Sequence, residues 1–202
     1  MTVRLMADID ISSRAWTPIG AAYRENQDGT ALDKNAFVFQ GVFDGNNKTI
    51  SGLTNTGFRI SPMYKGTNGT TPKDYAEYVF GLFGSVINAE IKNLNMAKVN
   101  IDLVCDSENK VLGDSVGAIA GFAGGDSCTI TNCHVLSGKI NGFDATAGII
   151  GRVHTKTAEG KPVVTVISNC SNAATVTSSR RAAGILGYTN HVSNGVSIKN
   201  CE

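Results

Sequence analysis

The chain has 202 residues, with 18 basic and 17 acidic side chains and a formal net charge of +1. That balance excludes a polyanion binder driven by bulk positive charge and a disordered chain held open by self-repulsion. Hydrophobic residues make up 42%, charged ones only 17%, and 23 Gly stand against 4 Pro, a composition that favours short strands and turns over helices. No apolar run approaches the roughly 18 residues of a membrane span. Residues 1–8 lack the basic head, apolar stretch and small-residue cleavage site of a leader, and they read as a chain already inside a strand. A removed leader or an excised fragment would each explain such a start.

Asp8 and Asp10 alternate with Ile9 and Ile11, which puts both carboxylates on one outward strand face. Paired carboxylates can serve glycoside chemistry or calcium binding, but no third and fourth oxygen ligand stands beside them, so a solvated face is the simpler reading. Trp16, ahead of Pro18-Ile19-Gly20, is expected to close one end of the core. Residues 21–36 and 59–76 read as long irregular segments carrying Tyr23, Tyr64 and Tyr75, candidates for stacking on a sugar or anchoring a protein partner, or simply for covering the fold. Asp44-Gly45-Asn46 between them reads as a turn whose side chains bond nearby backbone amides.

Self-comparison organises the rest. Gly81-Leu82-Phe83-Gly84, Ala118-Ile119-Ala120-Gly121, Gly148-Ile149-Ile150-Gly151 and Gly184-Ile185-Leu186-Gly187 share an apolar pair between small residues. Each is followed by a second element: Ile91-Lys92-Asn93-Leu94, Ile130-Thr131-Asn132-Cys133, Ile167-Ser168-Asn169-Cys170 and Ile198-Lys199-Asn200-Cys201, with Ile50-Ser51-Gly52-Leu53 as a degenerate upstream copy. Leu53, Leu94, Cys133, Cys170 and Cys201 are 41, 39, 37 and 31 residues apart, so the length variation sits in the connections. Within each repeat the apolar pattern has period two. It predicts three short strands: one over Ile-x-Asn-Cys, one after it (137–141, 174–178) and one containing Gly-Ile-x-Gly. Three strands and three bends in 30–40 residues make one coil of a parallel β-helix. Ile91, Ile130, Ile167 and Ile198 would then form one interior ladder, and Leu82, Ile119, Ile149 and Ile185 a second. Asn93, Asn132, Asn169 and Asn200 would sit at bends, tolerating left-handed backbone and bonding amide to amide.

The five cysteines (Cys105, Cys128, Cys133, Cys170, Cys201) form no C-x-x-C pair, and an odd count argues against a complete disulfide framework. Cys133, Cys170 and Cys201 share a position that Leu fills elsewhere, so they read as small buried hydrophobes rather than a redox or metal ladder. Cys105 and Cys128 fall near loops, where a bridge between them is unsupported. His134, His154 and His191 lie far apart, and His134 beside Cys133 would point to the opposite strand face, so no zinc site is expected. Thr175 and Thr177 present hydroxyls outward but are not repeated in other coils, and Arg180-Arg181 reads as a solvated basic turn. Asn47-Lys48-Thr49, Asn68-Gly69-Thr70 and Asn169-Cys170-Ser171 match glycosylation acceptors, the last of them in an expected buried rung.

Gly81-Leu82-Phe83-Gly84 resembles the GLUG repeat; the segments at 148–151 and 184–187 are close variants and 118–121 a degenerate one. Asp8-Ile9-Asp10-Ile11, Trp16-Thr17-Pro18-Ile19-Gly20 and the stretch 39–50 are similar to the segment that leads into such repeats. The resemblance runs from about Leu5 to Cys201. It implies an all-β fold, a right-handed parallel β-helix, in a bacterial cell-surface or secreted protein. Such regions occur in adhesin-like proteins and in the non-catalytic part of immunoglobulin A-cleaving zinc peptidases. The peptidase chemistry does not transfer, because no His-Glu-x-x-His holds zinc here.

The expectation is a single domain over 1–202, with 1–76 as a capping segment and 77–202 as repeats. It acts as a non-catalytic adhesion or ligand-binding module, or as a rigid spacer, with no cofactor and no catalytic or metal-binding residue assigned. Its partners would be a host glycan or extracellular protein, not nucleic acid, and no membrane span is expected. The chain stops part-way into a coil, which predicts further repeats or a partner at an open C-terminal edge. The alternative is a carbohydrate-active enzyme such as a polysaccharide lyase or glycoside hydrolase. That needs grouped carboxylates on one wall, where the repeats offer Lys92, Thr131, Ser168 and Lys199.

Overall fold

The computed structural model describes residues 1–20, 38–55, 64–68, 71–103, 111–154, 164–190 and 195–202, and these form strands and turns without a helix. The chain opens with β1 (Thr2–Arg4), β2 (Ile9–Asp10) and β3 (Val42–Ser51), followed by β4 (Tyr64–Asn68), β5 (Thr71–Phe80) and β6 (Phe83–Ile87). The next pass runs through β7 (Glu90–Ala97), β8 (Val99–Asp102), β9 (Val111–Gly117) and β10 (Ala120–Gly124). Another follows through β11 (Ser127–Val135), β12 (Gly138–Gly142), β13 (Ala145–Ala147) and β14 (Ile150–His154). After it come β15 (Val164–Ser168), β16 (Ser171–Asn172), β17 (Thr175–Ser178), β18 (Arg181–Ala183), β19 (Leu186–Asn190) and β20 (Val196–Lys199).

These strands build four sheets. Sheet 1 has the order β1-β3-β7-β11-β15-β20, with β2 against β3 and β16 against β11. Sheet 2 is β8-β12-β17, sheet 3 is β4-β5-β9-β13-β18, and sheet 4 is β6-β10-β14-β19. From β7 onward the chain visits sheets 1, 2, 3 and 4 in a fixed cyclic order and adds one layer to each. Among the described strands every pairing is parallel except the β4–β5 hairpin.

The two aliphatic ladders are in register. Ile130 pairs with Ile91 on one side and with Ile167 on the other, and Ile167 pairs with Ile198. Ile91, Ile130 and Ile167 are fully buried, while Ile198 on the outermost strand is 48% exposed. Leu82, Ile119 and Ile149 directly precede the paired positions Phe83, Ala120 and Ile150, and all three lie in the main core. Backbone bonds from Phe83 N to Ile119 O (2.9 Å) and from Ile119 N to Ile149 O (3.2 Å) stitch that ladder together.

From β7 onward each pass enters four sheets, where three strands were expected. The Gly-Ile-x-Gly segment is a corner that separates two strands, β13 from β14 and β18 from β19. The reason is close approach. A Cβ on Gly121 would stand 2.6 Å from Phe80 N and Ser115 O, and one on Gly187 would stand 2.8 Å from Thr146 N. Backbone of sheet 4 therefore lies directly against backbone of sheet 3, a contact that any side chain at these positions would wedge apart.

Asn93, Asn132, Asn169 and Asn200 all take left-handed φ between 52° and 55°. Asn132 Nδ2 donates to Asn93 Oδ1 (2.9 Å), Asn93 Nδ2 to Asp44 Oδ1 (3.0 Å) and Asn200 Nδ2 to Asn169 Oδ1 (3.2 Å). β7 and β11 run through this kink and keep their partners on both sides of it.

Two expectations need correction. Leu53 is not the counterpart of Leu94: Ile50 pairs with Met96, and Leu53 O accepts Asn100 N at 2.8 Å. The true equivalent of Ile91 is Phe43, because the register shifts between Asp44 and Lys48, where Asn46 and Asn47 are both left-handed (52° and 57°). This bulge moves Ile50 past the position that its motif-like neighbours suggest. The stretch 59–76 is not wholly irregular either. Its residues 64–68 and 71–76 belong to an antiparallel hairpin with Asn68 opposite Thr71, so a loop-like composition satisfies its own backbone by pairing with itself.

Two substitutions test this arrangement. Ile149→Ala should cost about 2–5 kcal/mol, read as a lower urea midpoint, and an unchanged midpoint would remove Ile149 from the interior. Asn132→Ala loses the amide bond to Asn93 and forces alanine into left-handed backbone, which costs roughly 1–2 kcal/mol on its own. Asn132→Gly, which escapes that backbone cost, should unfold at the higher urea concentration; equal midpoints for the two would show that backbone shape is not what selects Asn.

Candidate functional site

The corner between sheets 3 and 4 carries side chains as well as backbone. The residue after the second small residue of each motif forms a column: Ser85 pairs with Phe122, Phe122 with Arg152, and Arg152 with Tyr188. Facing it on sheet 3, Val79 pairs with Ser115, Ser115 with Ala145, and Ala145 with Arg181. The two columns meet. Phe122 packs with Val79 and Ile87 in a small apolar cluster separate from the main core, and Arg181 lies over the Tyr188 ring.

One layer beyond Phe122 the chemistry turns ionic. Asp144, in the turn between β12 and β13, keeps only 5% of its side chain exposed. Arg152 Nη2 reaches its Oδ2 at 3.2 Å, Arg181 Nη1 donates to its Oδ1, and Arg180 Nη1 lies 3.5 Å from Oδ2. The guanidinium carbons of Arg181 and Arg152 stand 4.1 and 5.3 Å from the Tyr188 ring centre. Such cation–π contacts draw a guanidinium to the ring face. The peptide is fixed as well: Arg181 N donates to Asp144 O (2.9 Å), as does the Ser178 hydroxyl (3.0 Å), and Arg180 N donates to Ser178 Oγ (3.3 Å). Exposure rises outward, from 9% at Arg152 to 34% at Arg181 and 50% at Arg180.

Sequence reading took Arg180-Arg181 as a solvated turn and passed over Asp144, Arg152 and Tyr188. A signal existed, one position past the motifs, in the series Ser85, Phe122, Arg152, Tyr188. The motif comparison ended at the preceding glycine.

The residues that the sequence did single out occupy structural positions. Trp16 packs against the core and donates its indole N–H to Leu82 O at 3.0 Å. Asp8 accepts Thr49 N and Asp10 accepts Ser12 N, both at 2.8 Å, and the bonds from Ser12 hold the Asp10 carboxyl below its ordinary range. Asp44 accepts Asn93 Nδ2 (3.0 Å) and Asn46 N (2.9 Å), which lower it likewise. His134 points away from Cys133, between Asn132 Oδ1 (3.0 Å) and Ser171 Oγ (2.9 Å). Since an amide oxygen only accepts, Nε2 is the donor in the bond to Asn132. Thr175 and Thr177 are exposed, and Thr177 Oγ1 donates to Asn141 Oδ1 (2.8 Å). Tyr64 and Tyr75 lie on β4 and β5, while Tyr23, Cys105 and His191 lie outside the described residues.

Cys128, Cys133, Cys170 and Cys201 are free thiols. Cys133 pairs in register with Leu94, and its thiol, like those of Cys170 and Cys201, points to a carbonyl one layer back: Ile91, Ile130 and Ile167 at 3.7–3.8 Å. Burial pushes Cys128 up to about 12. Within the column the neighbouring Cys133 holds Cys170 below the ordinary thiol range, while Cys170 and burial raise Cys133. Among the described residues no three His, Cys, Asp or Glu side chains converge as a metal site, and no helix is long and apolar enough to cross a membrane.

Asp144→Ala should cost about 3–5 kcal/mol, because it strips the buried Arg152 of its carboxylate partner. Arg180→Ala, with half of its side chain in water, should cost at most about 1 kcal/mol. Thermal unfolding of the two variants compares them directly, and similar losses would mean that the Asp144 cluster is not a buried ion pair.

Comparisons with protein-family models, with curated proteins and with solved structures find no match to this chain.

Proposed function

We propose that the chain is a right-handed parallel β-helix of GLUG-type repeats, working as a non-catalytic binding and spacer module of a bacterial cell-surface or secreted protein. The observation that carries this reading is the recurrence of motif positions in register: Ile91, Ile130, Ile167 and Ile198 pair in sequence along one sheet. From β7 onward the chain also takes the four sheets in the same cyclic order on each pass. Layers about 4.8 Å apart give a rod whose length grows with each repeat and whose stiffness comes from continuous backbone ladders. A stiff rod suits a protein that must hold a surface away from a cell or present the same face many times.

The non-catalytic reading is supported by the side chains along the outer wall of sheet 1. The in-register series is Asp44, Lys92, Thr131 and Ser168, with Lys199 beyond it, and the Thr131 and Ser168 hydroxyls bond each other at 2.8 Å. A polysaccharide lyase or hydrolase needs converging carboxylates free to take and give protons. Asp144 has its oxygens occupied by guanidinium donors.

A glycan array and pull-downs with mucin and matrix proteins, run beside polysaccharide-release assays on host and plant glycans, test this function. Saturable binding without product is the expected result. Released oligosaccharide would overturn the non-catalytic assignment, and an absence of binding at micromolar concentration would reduce the module to a spacer.

A further inference from the structure

We infer that the corner formed by Arg180, Arg181 and Tyr188 is a receptor for the oxyanion groups, carboxylate or sulfate, of an acidic polysaccharide. The choice of a glycan as carrier rests on the module reading above; the oxyanion chemistry rests on the corner itself.

Three observations lead there. The first is charge. Arg152, Arg180 and Arg181 gather round the carboxylate of Asp144, in a chain whose total formal charge is only +1. The positive character is therefore local, and it faces outward, because Arg180 and Arg181 are the exposed members. The second is preorganisation. Arg181 lies over the Tyr188 ring, 4.1 Å from its centre, and is tied to Asp144, and the turn behind it is fixed by the Ser178 and Asp144 bonds. A planar guanidinium already held in place loses little freedom on accepting a carboxylate or sulfate through its N–H edge, the geometry in which arginine surpasses lysine.

The third is contrast with the other polar columns. On sheet 2, Asn141 Nδ2 donates to Asp102 Oδ1 (2.8 Å) and Thr177 donates to Asn141 (2.8 Å), so that wall is engaged with itself. On sheet 1, Lys92 is bonded to Glu90 at 2.7 Å. At the corner, Arg180 and Arg181 share Asp144 with Arg152 and keep 50% and 34% of their side chains exposed, where a second carboxylate or a sulfate would reach them from solvent.

The test measures binding of the purified chain to a sulfated polysaccharide (heparin), a carboxylated one (polygalacturonate), a neutral one (dextran) and an acidic peptide (polyglutamate), at low and physiological salt. The parent chain should bind heparin, polygalacturonate or both, and their ratio separates sulfate from carboxylate. Arg180→Gln should weaken that binding about tenfold, the loss of one charge-assisted contact, and the double variant Arg180→Gln with Arg181→Gln should abolish it. Arg180 stands largely in water, so its single variant keeps the test valid if the double variant unfolds. Lys139→Gln, on the exposed face of sheet 2, should bind as the parent does. Equal binding by Arg180→Gln, an equal loss in Lys139→Gln, or no binding to either acidic polysaccharide would overturn the proposal. A preference for polyglutamate would overturn the glycan assignment. Binding to dextran alone would overturn the oxyanion receptor and leave the glycan-binding module standing.

Discussion

Parallel strands in register repeat every backbone bond at one strand spacing, and that repetition constrains everything else in this molecule. Once Ile130 N–H and C=O are committed to neighbouring layers, Ile91, Ile130 and Ile167 have no choice but to stack. The same commitment stacks whatever else the chain carries at equivalent positions. An insertion inside a strand would break a column, whereas an insertion in a connection breaks none, and this accounts for repeat lengths that fall from 39 to 31 residues while the motifs keep their spacing. Stability then depends on layers that support one another, so a cavity in an inner rung weakens the layers above and below it.

The corner illustrates how one geometric demand produces both a fold and a surface. Sheet 4 must lie against the backbone of sheet 3, so Gly121 and Gly187 cannot carry a side chain. The next residue along each strand is then the first able to reach into the angle between the sheets. Where that residue is Phe122, the angle closes over an apolar cluster. Where it is Arg152 or Tyr188, the same angle holds ions and a ring. The scaffold sets the place and each layer supplies its own chemistry, a division of labour in which the layers share packing and differ in what they present.

Much of this fold was legible in the residues. The two aliphatic ladders and the asparagine bends could be read because identical residue types recur at fixed internal spacing, and the backbone rewards that recurrence. The fourth strand was hidden because a corner made of small residues within an apolar run has the same period-two pattern as a straight strand. Leu53 misled for a related reason: Ile50-Ser51-Gly52-Leu53 imitates the motif, but the bulge at Asn46 and Asn47 sets the register upstream of it. The site was the least legible part. Asp144 comes from a turn, Arg181 from sheet 3 and Arg152 with Tyr188 from sheet 4. No linear pattern joins them, since they meet only after the chain has folded back at the glycines.

Stacking also limits which residues can follow one another along a column, and the observed columns obey that limit. Apolar side chains repeat freely because each new layer buries more of the last. Asparagine repeats because an amide has a donor on one atom and an acceptor on the other, as Asn132 and Asn93 use theirs. Thiols repeat because they are small and, while protonated, neutral, and each can point to a carbonyl in the layer behind. Guanidinium groups cannot follow this rule, since like charges one strand spacing apart repel. Arg152 is accordingly followed in its own column by Tyr188, which accepts a cation on its face. The next arginines are placed on the facing sheet and the turn beside it, with Asp144 between them and Arg152. A positive corner is thus assembled across two sheets because one column could not hold it, and its partial neutralisation by a single carboxylate leaves it suited to take up another.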